Sequence, residues 1–184
     1  MKNHKRIITL FLAFILLFSL VSCNKKEIET PKGMQLAQSD FVDYYLFVPE
    51  EWVVDTTSGY ISAYHPQDKS NISLLTMTGT KAYSSIDEYV EEYCAELAST
   101  FANYEYIENE SLIGGVNFGG KDAARIVYKI TIGENVYKYM QIVTASGYYV
   151  YTLTYSALEE NYETHIEQVL EVVNNFKLKS TGKK

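Results

Sequence analysis

Two cysteines, three prolines, three histidines and a single tryptophan are all that a chain of 184 residues holds of those types. One cysteine, Cys23, stands beside an N-terminal apolar run, so one remains for the folded part and an internal disulfide framework is excluded. Cationic residues are also short: 16 Lys and Arg stand against 23 Asp and Glu, for a net charge of −7. Of those cations, Lys2, Lys5 and Arg6 lie ahead of the apolar run, and the chain beyond that run is more acidic still. Such a surface cannot neutralise phosphates, which excludes a nucleic-acid binder. No proline- or serine-rich break and no repeat interrupts the chain after its N-terminal segment, so one domain is expected. What is plentiful is apolar and aromatic: 47% of residues are hydrophobic, enough for a core and against disorder.

The apolar stretch from Ile7 to Val21 comes after the basic residues and ends at small Ser22 before Cys23. Basic flank, apolar centre and small-residue cleavage zone make a secretory signal peptide over residues 1–22. A spanning helix needs about 20 apolar residues, and the chain turns polar at Asn24-Lys25-Lys26-Glu27 before that length is reached. Export is therefore expected in place of a permanent transmembrane helix. Leu20-Val21-Ser22-Cys23 resembles the lipobox of bacterial lipoproteins. The resemblance implies that Cys23 becomes the first mature residue and carries a thioether-linked diacylglyceryl anchor. Two acyl chains at about 0.8 kcal/mol per buried methylene hold a protein far better than one. The ordinary alternative is a cleaved signal with an incidental cysteine.

Residues 23–40 are expected to be a lipidated, flexible tether, polar and marked by Lys25, Lys26, Pro31, Lys32 and Gly33. At most about 3.3 Å per residue, such a tether reaches a few tens of ångströms. A globular domain is expected over 41–178, then a polar tail over 179–184. Tyr44 to Val48, closed by Pro49, reads as an edge or terminal strand. Trp52 to Val54, Tyr60 to Tyr64 and Ile72 to Thr78 continue the strands, separated by the turn-formers Ser58-Gly59, Pro66-Gln67-Asp68 and Gly79. From Ser85 the period becomes helical, with Ile86, Tyr89, Val90, Tyr93, Cys94, Leu97 and Phe101 on one stripe and Ser85/Glu88 as a capping box. Tyr104 to Leu112, Ala124 to Ile132, Val136 to Thr144 and Tyr148 to Tyr155 read as strands. The last three are joined by tight turns and must be antiparallel. Tyr162, Ile166, Val169, Leu170 and Val173 predict a final amphipathic helix. The fold class is α+β, an antiparallel sheet flanked by helices.

Phe47-Val48-Pro49-Glu50-Glu51-Trp52, Tyr64 with Asn71-Ile72-Ser73, the Gly114-Gly115 to Ala124 segment, and Tyr149 to Ala157 leading to Phe176 resemble the PsbP-like group. That group is named for an extrinsic photosystem II subunit and includes many bacterial lipoproteins. The resemblance implies a PsbP-like αβα sandwich and an extrinsic, membrane-associated, non-catalytic role. No photosystem-contacting residue or metal ligand is carried over from it.

Motifs that bear chemistry are weak. Gly115 to Asp122 comes near a phosphate loop, but Asp122 stands where Ser or Thr should bind magnesium and a strand comes next where a helix should open, so a glycine-rich turn is expected. Cys94 lies on an apolar stripe and is expected to pack in place of acting as a nucleophile. His65 beside Asp68 could assist a weak metal site, while His165 reads as an ordinary helix-boundary residue. The Glu105/Glu108/Glu110 and Glu159/Glu160/Glu163/Glu167 groups lack a calcium-loop pattern and read as solvated faces. Neither a catalytic residue nor a cofactor nor a metal is assigned.

Tyrosine is the outlier at 17 copies. Rings with a polar tip suit partly wet recognition surfaces, and the exposed members among Tyr44, Tyr60, Tyr64 and Tyr148 are the candidate recognition residues. The expectation is a lipid-anchored protein on the extracytoplasmic face of the cell membrane whose domain binds an envelope protein or small ligand. The rivals are a carbohydrate- or peptide-binding wall module and an envelope hydrolase.

Overall fold

The computed structural model describes residues 28–38, 42–57, 59–79, 83 and 85–179. Residues 1–27, Cys23 among them, and residues 180–184 lie outside them, so the expected signal peptide and polar tail fall outside the described residues.

Two antiparallel sheets enclose the main core. The smaller has the order β1 (Met34–Ala37), β2 (Tyr44–Pro49), β11 (Lys177–Leu178). The larger has eight strands. Along it run β3 (Val53–Asp55), β4 (Ile61–Tyr64), β5 (Asn71–Thr78), β10 (Tyr149–Leu158), β9 (Asn135–Ser146), β8 (Lys121–Ile132) and β6 (Tyr104–Tyr106), with β7 (Leu112–Phe118) also pairing β8. The helices are α1 (Ile86–Thr100), α2 (Glu159–Tyr162) and α3 (Ile166–Asn175).

Alternation along the strands decides the layers. Ile61, Ala63, Ile72, Leu74, Met140, Ile142, Leu153 and Tyr155 face the small sheet and the Val169, Val172 and Val173 side of α3. Ala124, Ile126, Tyr128, Ile130, Val143 and Val150 face the opposite way and lie under Tyr89, Val90 and Leu97 of α1. The Ser85 hydroxyl accepts from the Glu88 amide at 3.3 Å, so the expected cap starts α1. This layered α+β arrangement is the one the alternation predicts.

Four local expectations change. The presumed tether carries β1, with Met34 and Ala37 buried, because β2 offers it a full antiparallel register from Pro49 to Leu46. As a result β2 is the centre of its sheet and not an edge; Pro49, which has no amide to donate, falls at its last position. The strand read from Tyr104 to Leu112 is broken by a 3-10 turn at Glu108–Glu110. There the Ser111 hydroxyl donates to the Ile107 carbonyl at 2.8 Å and accepts from the Val127 amide at 2.9 Å. A side chain thus replaces a rung of the ladder. Finally, the last helix is split: the Tyr155 hydroxyl donates to the Tyr162 carbonyl at 2.8 Å, taking the acceptor that a continuous helix would offer to Ile166.

Candidate functional site

Because α1 covers only the β8–β9 side of the sheet, the outward residues of β4 and β5 are left open. The inward partners there are fully buried, whereas the outward set is Ser62 and Tyr64 on β4 and Asn71, Ser73, Leu75 and Met77 on β5. Leu75 and Met77 remain 43% and 38% exposed, an apolar pair standing where alternation calls for polar side chains. Between this strip and Tyr93 on the flank of α1 runs a cleft of about 360 Å³. Tyr60, Ser73, Leu75, Met77 and Thr154 line it, with Gln141 and Thr152 at its floor. A second hollow of about 400 Å³ adjoins it through Tyr60 and Ser73, lined further by Ser62, Tyr64, Lys69 and Asn71. Together they form one trough.

The floor is polar and incompletely paired. Gln141 Nε2 donates to Thr154 Oγ1 at 3.1 Å, but Gln141 Oε1 and Thr152 Oγ1 have no hydrogen-bond partner. The Tyr93 hydroxyl faces Gln141 and the Tyr89 hydroxyl faces Thr152, each close enough to offset part of the effect of burial on the phenol. Burial pushes both phenols above their ordinary range, Tyr89 to about 12, so they stay neutral at physiological pH. At the far end Asn71 Nδ2 donates to Ser156 Oγ at 2.8 Å, and Lys69 Nζ sits 4.8 Å above the Tyr64 ring. The trough therefore offers apolar walls, neutral hydroxyls, an amide and one cation.

Of the tyrosines expected from sequence, Tyr60 (42% exposed) and half-buried Tyr64 line the trough. Tyr148, 56% exposed, stands apart at the β9–β10 turn. Tyr44 leaves the set: it is 3% exposed, its hydroxyl faces the Leu74 carbonyl at 3.5 Å, and burial pushes it up to about 12. It is an inward residue of the central strand β2 and belongs to the core. Cys23 lies outside the described residues. Sequence reasoning misses Tyr93, Gln141 and Thr152, which only the partial cover of α1 brings together; the apolar pair Leu75 and Met77 is the available signal.

The other candidates fall elsewhere. Gly115 to Asp122 is a hairpin between β7 and β8 in which Asp122 Oδ1 accepts from the Gly115 amide at 2.9 Å. Burial raises the Cys94 thiol, the opposite of nucleophile activation. The two glutamate groups are not merely solvated: Glu110 and Glu163 converge on Lys138 at 2.8 and 3.4 Å, and Glu159 pairs with Lys129. Lys138 is 7% exposed and lies 4.2 Å over the Tyr162 ring. His65 and His165 meet beside Trp52 at the margin of the main core, with ring centroids 4.4 Å apart.

No family model and no curated protein matches the sequence. Solved structures do share its architecture. Cyanobacterial PsbP (CyanoP) from Synechocystis superposes with a TM-score of 0.55 at 16% identity, over 87% of this chain and 99% of that one. The fold is PsbP-like. LpqN of Mycobacterium tuberculosis, involved in cell envelope biogenesis, gives 0.53 at 14% identity, over 74% of this chain and 83% of that one. A Bacteroides thetaiotaomicron protein gives 0.54 at 14% identity over 77% of this chain, which spans only 47% of that larger chain. In this PsbP-like frame the trough occupies the half of the large sheet that α1 leaves uncovered. Among the described residues, no helix is long and apolar enough to cross a membrane.

Proposed function

We propose that this chain is a lipid-anchored, extracytoplasmic, non-catalytic PsbP-like domain that holds a small amphipathic molecule in the trough beside α1. The observation that carries the reading is the pair of unpartnered polar atoms, Gln141 Oε1 and Thr152 Oγ1, at the floor of a cleft walled by Tyr60, Leu75, Met77 and Tyr93. An unpaired buried polar group costs about 1–3 kcal/mol, a cost that a ligand donor relieves. At about 360 Å³ the cleft is in the range of small-molecule sites. Apolar walls with a few polar groups suit a molecule that has an apolar body and a hydrogen-bonding end.

The scattered placement of the tyrosines favours this ligand over a wall polymer, which needs a coplanar row of exposed rings. Placement at the envelope is supported by the leader, by the lipobox-like Leu20-Val21-Ser22-Cys23, and by the fold shared with LpqN.

Two measurements test the reading. Metabolic labelling with an alkyne fatty acid is expected to tag the mature chain and to fail for Cys23→Ala; an unlabelled wild type refutes the anchor. Native mass spectrometry of the chain released from its own membrane is expected to reveal a discrete small-molecule adduct that Met77→Lys abolishes. Met77 is already exposed, so that change leaves the fold in place. A wild-type chain free of adduct, or an adduct that persists in Met77→Lys, refutes the trough as the binding site.

A further inference from the structure

The β4–β5 turn is wound tightly. The His65 amide donates to the Ser70 carbonyl at 2.7 Å, the Lys69 amide donates back to the His65 carbonyl at 3.1 Å, and Lys69 sits at φ +64° in the left-handed region. This winding sets His65 and Asp68 side by side. The residue that opens α3, His165, arrives on the same carboxylate from 97 positions further along the chain. His165 Nε2 stands 2.7 Å from Asp68 Oδ2, and His65 Nδ1 stands 3.3 Å from Asp68 Oδ1. The second contact does not have hydrogen-bond geometry, so His65 Nδ1 is buried without a partner. One ligand atom from each of the three side chains lies within 4.8 Å of the other two. The Ser70 amide fixes the carboxylate by donating to Oδ1 at 2.9 Å. Burial pushes the Asp68 carboxyl up, but the hydrogen bonds from His165 and the Ser70 amide outweigh it and hold the group down at about 2.

We propose that His65, Asp68 and His165 bind one first-row divalent transition-metal ion, zinc foremost, as a three-ligand site. Two imidazoles and a carboxylate form a donor set that zinc accepts, with bonds of about 2.0–2.2 Å that put tetrahedral ligands about 3.3–3.5 Å apart. The His65–Asp68 spacing of 3.3 Å already fits. The shorter His165–Asp68 contact opens as the metal replaces the proton between them, and that proton leaves to solvent. A water would complete the set as the fourth ligand. The ion would clasp the β4–β5 turn to the start of α3.

A hydrogen-bonded clamp of Asp68 on His165 would join the same elements but makes no use of His65. That difference separates the two. The only tryptophan, Trp52, touches both imidazoles edge-on, with centroids 6.1 Å from His65 and 5.5 Å from His165, so it reports on an ion held between them. The full chain in detergent is titrated with Co²⁺ while tryptophan emission is monitored, and Zn²⁺ is then added as competitor. The expected result is quenching that saturates at one equivalent and is reversed by Zn²⁺. His65→Asn should weaken the apparent affinity at least about tenfold while circular dichroism stays unchanged, since even outer-shell partners of a metal site are worth 10–100-fold. Unquenched emission in the wild type, or equal quenching in His65→Asn, overturns the proposal.

Discussion

The Tyr151 hydroxyl donates to Asp43 Oδ2 at 2.6 Å, tying the middle of β10 in the large sheet to the residue just before β2 in the small one. Burial and the neighbouring carboxylate push that phenol above its ordinary range, so it remains a donor. Tyr151→Phe removes the donor and leaves Asp43 without it. A loss of about 1.5–2 kcal/mol is expected, since hydrogen bonds to charged groups lie near the top of the usual range. Urea unfolding measures it as a lower midpoint with an unchanged slope.

Neighbouring glycines in the β7–β8 turn should respond unequally. Both have positive φ, +62° at Gly119 and +79° at Gly120. A Cβ on Gly119 would lie 2.8 Å from the Phe176 ring, which stacks on Phe118 at 3.9 Å and has nowhere to retreat. A Cβ on Gly120 meets nothing within 4 Å. Gly120→Ala is expected to cost about 1 kcal/mol for the left-handed backbone alone, and Gly119→Ala about 2–4 kcal/mol because overpacking is added. Thermal melting of the two variants side by side gives the comparison.

Acid should erase the contribution of Asp68. Its folded-state value of about 2 lies below the ordinary 3.8, so the ionised carboxylate stabilises the fold above about pH 4 and that stabilisation is lost as pH falls towards 2. Asp68→Asn lacks the titrating group. The gap in unfolding midpoint between wild type and Asp68→Asn should be full at pH 5–6 and shrink as pH approaches 2. A gap constant across that window would contradict the depressed value.

Thr152→Val tests whether the trough keeps polarity at the expense of stability. The hydroxyl is buried and has no partner, so replacing it with a methyl should leave the melting temperature unchanged or raise stability by up to about 1 kcal/mol. The co-purifying adduct should weaken in the same variant. A clear loss of stability would mean that the hydroxyl is paired in solution.

Much of this architecture is legible in the sequence because burial obeys period. The Ala124/Ile126/Tyr128/Ile130 face of β8 and the Tyr89/Val90/Leu97 stripe of α1 each read as a single face, and they pack on each other. Ser85 announces the start of α1 by its hydroxyl. The illegible parts lie where a long-range partner overrides local pattern. β1 is four residues in a polar stretch and exists because β2 pairs with it. The breaks after Tyr106 and at His165 depend on the Ser111 and Tyr155 hydroxyls, whose bonds reach 16 and 7 positions along the chain. His165 looks like a boundary residue, and so it is, but no local signal pairs it with Asp68. Tyr44 and Tyr60 are the same residue type with opposite fates, because Tyr44 points inward from β2 while Tyr60 stands in the bend just before β4.

Ile28 already packs against the main core, only five positions after Cys23. If Cys23 is acylated, the five steps from it to Ile28 span at most about 17 Å at about 3.3 Å per residue. Such a molecule would ride close against the headgroups like a buoy on a short chain, sampling compounds that partition into the bilayer surface and not those that diffuse far from it.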